Sequence, residues 1–184
     1  MNPVPAPALN LVFTFSSYPL KERLSAKLCL GYSRWLGGFR TLEIRRGHLR
    51  GGYEVEALGG ERAVLASKSL VSGVAFNKYG LNLAALESTA LPALEAAAAA
   101  GRVLLLDELG PMALKSEKFT ARIVELLFSP SPCLVFHRKG AKIFEKAFSE
   151  MTDTVIIELV PENWDRAVAA AQCWLDGRLR LMEK

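Results

Sequence analysis

The chain has 184 residues, of which 51% are hydrophobic and 23% are charged. This balance is typical of a folded domain and excludes global disorder, and the length favours one domain with a sizeable core. The net charge is +4, but the basic residues are spread out with few aromatic residues among them, so nothing calls for a nucleic-acid partner. The three cysteines are widely spaced and lack a CxxC motif, which argues against a disulfide framework or zinc site and favours a cytoplasmic location.

The two ends of the chain set the expected domain limits. Residues 1–8 are rich in Pro and Ala and lack the charges of a signal peptide, so we expect a flexible tail there and a single domain over 9–184. The longest apolar stretch, 93–100, contains Glu95 and is far shorter than the roughly 20 residues of a membrane span. No membrane partner is therefore expected.

The first elements are a strand followed by a helix. Residues 9–14 form a short apolar run that suits a buried strand. Residues 16–30 then carry leucines at helical spacing. We expect Ser17 to cap this helix with its side chain and Pro19 to lie in the first turn, where a missing N–H costs little.

The region from 37 to 67 has a different pattern. Two alternating runs and a third short run are separated by paired glycines and by the turn residues around His48. This alternation predicts an antiparallel meander of about three strands inserted in the fold.

The second half returns to alternating strands and helices. Apolar runs at 103–106, 133–136 and 154–159 predict strands, and helical patterns lie at 92–100, 116–128, 141–148 and 161–176. Continuous apolar strands between helices imply a mostly parallel sheet covered on both faces. The predicted fold class is therefore α/β with three layers.

The most informative residues are Asp107 and Glu108, which directly follow the apolar strand 103–106. Four apolar residues and two carboxylates form a Walker B pattern, and the carboxyl end of such a strand faces the ligand crevice of a parallel sheet. In that arrangement Asp107 is the residue to hold Mg²⁺ and Glu108 the one to polarise an attacking water. A second interpretation stays open, in which the acidic pair only ends a strand and caps the next turn.

Several segments in the same order resemble the small P-loop nucleoside-triphosphatases, a family that includes the human cancer-related NTPase and thermophile relatives. The resemblance covers roughly residues 9–170. The family's GFxTxExR strand, RxGF segment, RxxLA segment, DEIGxM block and PENRD block are similar to residues 38–45, 50–53, 62–66, 107–112 and 161–165. The resemblance implies a P-loop domain that hydrolyses nucleoside triphosphates with Mg²⁺.

One segment departs from the family. A relative carries GxxGxGK[ST] after the first strand, where glycines let backbone N–H groups surround the phosphates. Here residues 15–23 contain no glycine, Pro19 removes a donor, and Glu22 stands at the hydroxyl position. Lys21 falls at the lysine position, but a solvated helix lysine is the alternative interpretation.

The resemblance thus implies Glu108 as the catalytic residue, Asp107 as the Mg²⁺ ligand, and a nucleoside triphosphate as ligand. The residues it implies for nucleotide binding are Ser16, Ser17, Lys21 and Arg45. We expect nucleotide binding and hydrolysis to be weak or lost because the phosphate loop is degenerate. Two alternatives stay open: an active Mg²⁺-dependent enzyme with an unorthodox loop, and a non-catalytic regulatory subunit that binds an unknown protein partner through an aromatic surface at Phe15 and Tyr18.

Overall fold

The computed structural model describes residues 7–183. One strand and one helix come first, antiparallel strands fill residues 36–81, and helices and strands alternate from residue 91 onward. The strands are β1 (Asn10–Phe15), β2 (Leu36–Arg46), β3 (Leu49–Ala57), β4 (Arg62–Ser67), β5 (Ala75–Phe76), β6 (Tyr79–Leu81), β7 (Val103–Leu109), β8 (Cys133–Arg138) and β9 (Thr154–Leu159). The α-helices are α1 (Tyr18–Gly31), α2 (Leu91–Ala99), α3 (Glu117–Leu127), α4 (Lys142–Glu150) and α5 (Trp164–Met182).

The strands form one mixed sheet in the order β5-β6-β4-β3-β2-β7-β8-β1-β9. The strands from β2 to β9 in this order are parallel, and β2, β3, β4, β6 and β5 are joined by antiparallel pairing. The predicted α/β class with a parallel core and an antiparallel meander is confirmed. The short β5–β6 hairpin at the sheet edge was not among the predicted strands.

Helices cover both faces of the sheet and give the three predicted layers. One apolar core lies under α2, α3 and α4, and a second lies under α1 and α5. Along β7, Leu104 and Leu106 enter the first core, whereas Val103 and Leu105 enter the second. Because successive side chains of a strand point to opposite faces, this continuous apolar run places β7 in the centre of the sheet, between β2 and β8.

Gly38 allows β2 to lie close to β7. Its φ is +122°, and a Cβ built at this position would lie 2.3 Å from the carbonyl oxygen of Leu105. A residue with a side chain would therefore be strained and would collide with the backbone of β7. The glycine fixes the pairing that brings the carboxyl end of β7 beside β2.

The ends of the domain differ in part from expectation. The last helix was expected to stop before Gly177, but α5 continues to Met182, and a Cβ at Gly177 would lie 3.0 Å from Cγ of Pro7. The glycine thus gives Pro7 room to pack instead of ending the helix.

The predicted tail is described only in part. Residues 1–6 lie outside the described residues, while the Ala8 carbonyl accepts a hydrogen bond from Trp174 Nε1 at 2.6 Å.

Membrane-spanning helices are absent from the part of the chain that the structure describes, since none of its helices combines the necessary length and apolar character.

Candidate functional site

The candidate site lies where the carboxyl ends of β1, β7 and β8 meet the start of α1. In parallel α/β sheets this edge is the usual place for ligands. Asp107 and Glu108 lie near the end of β7, and Lys21 lies in the first turn of α1. The predicted approach of the acidic pair to the start of α1 is present in the structure.

Lys21 forms an ion pair with Asp107 inside the protein. Its Nζ lies 2.7 Å from Asp107 Oδ1, and the side chains of both residues are 0% exposed. The same ammonium donates a hydrogen bond to the carbonyl oxygen of Thr41 at 2.9 Å and lies 4.4 Å from the centre of the Tyr18 ring. A buried ammonium needs such partners because leaving water is costly for a charge. Lys21 is therefore a core lysine, and the interpretation as a solvated helix lysine is wrong.

The second oxygen of Asp107 is also occupied. Ser25 lies one helical turn after Lys21 and its Oγ donates a hydrogen bond to Asp107 Oδ2 at 2.5 Å. Arg40 on β2 places its Nε 3.8 Å from the same oxygen and donates to Ser25 Oγ at 3.2 Å. Burial raises the pKa of the Asp107 carboxyl, and Lys21, Ser25 and Arg40 oppose that rise.

Glu22 turns toward β2 and pairs with Arg40. One of its oxygens also lies 3.3 Å from the hydroxyl of Tyr18, and this hydroxyl accepts a hydrogen bond from the backbone N–H of Glu43 at 2.8 Å. Burial raises the pKa of the Tyr18 hydroxyl, and the negative charge of Glu22 raises it further. The hydroxyl is therefore neutral and acts only through hydrogen bonds.

The segment between β1 and α1 is very short. Only Ser16 and Ser17 separate the two elements, because α1 already begins at Tyr18. Ser16 is exposed and Ser17 is half-buried. The backbone N–H of Lys21 donates to the carbonyl oxygen of Ser17 at 3.2 Å, so it is committed to the first helical turn. The expected side-chain cap is wrong: Ser17 is the N-cap residue, but its side chain makes no capping hydrogen bond.

Glu108 has one paired and one unpaired oxygen. Its Oε1 accepts a hydrogen bond from Arg138 Nε at 3.0 Å, and its backbone N–H donates to Thr41 Oγ1 at 3.3 Å. Oε2 lies 3.9 Å from Lys21 Nζ and has no hydrogen-bond partner among residues 7–183. Burial raises the pKa of this carboxyl, and the charges of Lys21 and Arg138 oppose the rise. The side chain lines a cavity of about 430 Å³.

Arg45 is not part of this cluster. It lies near the end of β2 with half of its side chain exposed, and its Nε pairs with Glu43 Oε2 at 2.8 Å. It lines a separate groove with Glu22 and Arg62. The structure therefore brings Lys21, Asp107 and Glu108 together, but it leaves Arg45 outside their contacts.

Four residues of the cluster, namely Ser25, Arg40, Thr41 and Arg138, were not among the predicted site residues. Ser25 lies four residues after Lys21, so helical spacing alone places it on the same face of α1. Thr41 contributes both its carbonyl and its hydroxyl oxygen, and its position one residue after Arg40 gave no comparable signal.

Comparisons with known proteins agree with this architecture. A protein-family model described as NTPase matches residues 24–171, so the match begins within α1 and leaves out residues 15–23. The nucleoside-triphosphatase THEP1 of Thermococcus kodakarensis is 36% identical over 140 residues, which cover 72% of this chain and 78% of that protein. The THEP1 of Thermotoga maritima is 33% identical over 127 residues, covering 69% and 73%.

Two solved structures share the fold. The crystal structure of THEP1 from Aquifex aeolicus matches with a TM-score of 0.76 and 26% identity over 87% of this chain and 95% of that one. The solution structure of a human cancer-related nucleoside triphosphatase matches with a TM-score of 0.74 and 26% identity over 90% and 96%. The chain therefore belongs to the THEP1 family of small P-loop nucleoside-triphosphatases.

Proposed function

We propose that this member of the family has an internal cation at the place of the nucleotide-bound metal, and that it binds and hydrolyses nucleoside triphosphates weakly or not at all. The observation that carries the proposal is the Lys21–Asp107 ion pair of 2.7 Å with both side chains fully buried. The lysine at the phosphate-loop position points into the protein and holds the carboxylate that the family resemblance assigns to Mg²⁺.

The conformation of the β1–α1 segment supports the proposal. A phosphate-binding loop needs several successive backbone N–H groups that curve around an anion. Here two residues connect β1 to α1, Pro19 has no N–H, and the N–H of Lys21 is hydrogen-bonded inside the helix. Phe15, at the position of the first glycine, is fully buried beneath the guanidinium of Arg138. Few donors are left for a triphosphate.

The residues do not fit a resident Mg²⁺ ion. Asp107 has Lys21 on one oxygen and Ser25 on the other, and Glu22, at the position of the metal-binding hydroxyl, pairs with Arg40. Within residues 7–183, no three His, Cys, Asp or Glu side chains are grouped closely enough to hold a metal. We therefore assign no chemical step to Mg²⁺ in this chain.

The two alternative functions fare differently. An active enzyme with an unorthodox loop is supported by Glu108, which lines a cavity together with Arg138 and has one oxygen without a hydrogen-bond partner among residues 7–183. A regulatory subunit was expected to bind its partner through Phe15 and Tyr18, but these residues are only 0% and 7% exposed. The expected aromatic docking surface is wrong, since both rings pack into the two cores beside the sheet.

The experiment is a turnover assay with Mg²⁺-ATP and Mg²⁺-GTP at millimolar concentration. We expect phosphate release at the level of the Glu108→Gln variant purified in parallel, which controls for contaminating phosphatases. A second variant replaces residues 15–22 by a glycine-rich loop ending in Lys-Thr, and we expect it to gain nucleotide binding. Glu22→Thr alone should gain little, because the segment still lacks its N–H donors. Robust turnover by the unmodified chain, abolished by Glu108→Gln, would overturn the proposal.

A further inference from the structure

A cavity of about 430 Å³ lies between the antiparallel meander and the carboxyl ends of β7 and β8. This volume lies in the range of roughly 300–1,000 Å³ that small-ligand sites occupy. Its walls carry the basic side chains of Arg50, Lys78 and Arg138 and the single carboxylate of Glu108. Arg138 pairs with Glu108 and Arg50 with Glu43, so Lys78 supplies the positive charge without an acidic partner among the described residues, and this charge favours an anionic occupant.

Two residues of the cavity wall each have one buried polar atom without a hydrogen-bond partner within the described chain. Glu108 is 5% exposed, and its Oε2 accepts no hydrogen bond. Arg50 uses its two terminal nitrogens on Tyr53 and Glu43, but its buried Nε donates to nothing. Unmade hydrogen bonds of buried groups are costly, so these two side chains would gain from a hydrogen-bond donor or acceptor of an occupant.

Flat rings line the same space. Tyr53 and Tyr79 lie edge to face with ring centres 5.7 Å apart, and Phe76 joins them in the cavity wall. The side chains of Leu86 and Met112 complete the apolar part. Aromatic walls of this kind favour a flat ring in the occupant.

The short β5–β6 hairpin brings the third basic residue to the cavity. Its turn consists of Asn77 and Lys78, and Asn77 has a φ of +53°, a left-handed conformation that asparagine tolerates better than most residues. The hairpin forms one edge of the sheet, where β6 pairs with β4. The basic wall is thus assembled from three distant parts of the chain.

We propose that this cavity binds a small ligand in which a flat ring carries one anionic group and one hydrogen-bond donor. The anion lies against Arg50 and Lys78, the ring lies among Tyr53, Phe76 and Tyr79, and the donor faces the carboxylate of Glu108. A nucleoside monophosphate and an aromatic carboxylate share this chemistry. The inference goes beyond the proposed function, because it needs neither a triphosphate nor Mg²⁺.

Calorimetric titration in the presence of EDTA tests the proposal. The probes are AMP and GMP in one arm and 4-hydroxybenzoate in the other, with adenosine and inorganic phosphate as the separated parts. We expect at least one ring-bearing anion to bind with a Kd below about 1 mM. Adenosine and inorganic phosphate should each bind at least about tenfold more weakly than the nucleotides. Binding in only one arm identifies the anionic group that the cavity takes. Absence of binding in both arms overturns the proposal.

Variants locate the bound probe. Lys78→Gln changes an exposed side chain and leaves the core intact, so a loss of affinity cannot be attributed to misfolding. We expect Lys78→Gln and Arg50→Gln each to weaken binding at least about fivefold, and Met112→Trp, which fills the cavity, to abolish it. Lys68→Gln, an exposed lysine outside the cavity wall, is the matched control and should bind as the unmodified chain does.

Unchanged affinity in Lys78→Gln and Met112→Trp would show that the probe binds elsewhere and would refute the assignment. This result is separate from the turnover assay. A chain that hydrolyses Mg²⁺-ATP but binds no monophosphate or carboxylate refutes the proposed function and this site independently, whereas a chain that binds the probes without turnover supports both.

Discussion

Replacing Lys21 by methionine keeps most of the volume of the side chain but removes its charge. The carboxylate of Asp107 and the carbonyl oxygen of Thr41 then lose a partner that lies 2.7 and 2.9 Å away in a fully buried environment. Breaking a buried pair by removing one partner typically costs about 3–5 kcal/mol. For a domain of this size, that corresponds to a fall in Tm of roughly 6–20 °C. A phosphate-loop lysine that faced an open site would give no such loss.

The expected loss depends on pH. Burial already raises the pKa of Asp107, and removing Lys21 raises it further. A carboxyl group whose pKa is higher in the folded state lowers stability above that pKa, and the lost stability returns as the pH falls through it. The loss of folding stability caused by Lys21→Met should therefore be smaller at pH 5 than at pH 8.

Urea unfolding at both pH values measures these effects. Lys27→Met, an exposed lysine on the same helix, is the matched control and should stay within about 0.5 kcal/mol of the unmodified chain. Combining Lys21→Met with Asp107→Asn should cost less than the sum of the two single changes, with a coupling on the order of 1–3 kcal/mol. A loss below about 1 kcal/mol for Lys21→Met would refute the view that this ion pair holds the site together.

Three further results are expected. Leu106→Ala, in the fully buried centre of β7, should cost about 2–5 kcal/mol in urea unfolding, while Leu30→Ala, at a side chain that is 86% exposed, should be nearly neutral. At pH 8 a thiol reagent should label the exposed Cys173 at once and Cys133 only after unfolding, because burial raises the pKa of Cys133 to about 12. Burial also lowers the pKa of His137, so stability should fall as the pH drops from 6.5 toward the lower folded-state pKa, and His137→Gln should flatten this slope.

Each of these expectations has an opposing result. Equal losses for Leu106→Ala and Leu30→Ala would contradict the central position of β7. Fast labelling that persists in Cys173→Ser would show that another thiol is accessible. An unchanged pH slope in His137→Gln would mean that a different group couples protonation to folding.

Much of the fold follows from local patterns in the sequence. The apolar run from Val103 to Leu106 needs cover on both faces, which only a central strand between two helical layers provides. The alternating meander is equally local, since a strand with one polar face and one apolar face pairs at the side of a sheet. The predicted neighbourhood of Asp107, Glu108 and the start of α1 follows from the same logic, because carboxyl ends of parallel strands share one edge.

The sequence alone determined that an acidic pair follows an apolar run and that residues 15–23 contain no glycine, because both are statements about residue order. Only the tertiary structure decided that Lys21 turns inward onto Asp107, that Ser25 takes the other oxygen, and that Arg45 lies outside the cluster. It also assembled the cavity, whose basic wall joins residues from β3, the β5–β6 turn and β8. Such contacts depend on distances of a few ångströms between separate elements, and packing of the whole sheet sets those distances.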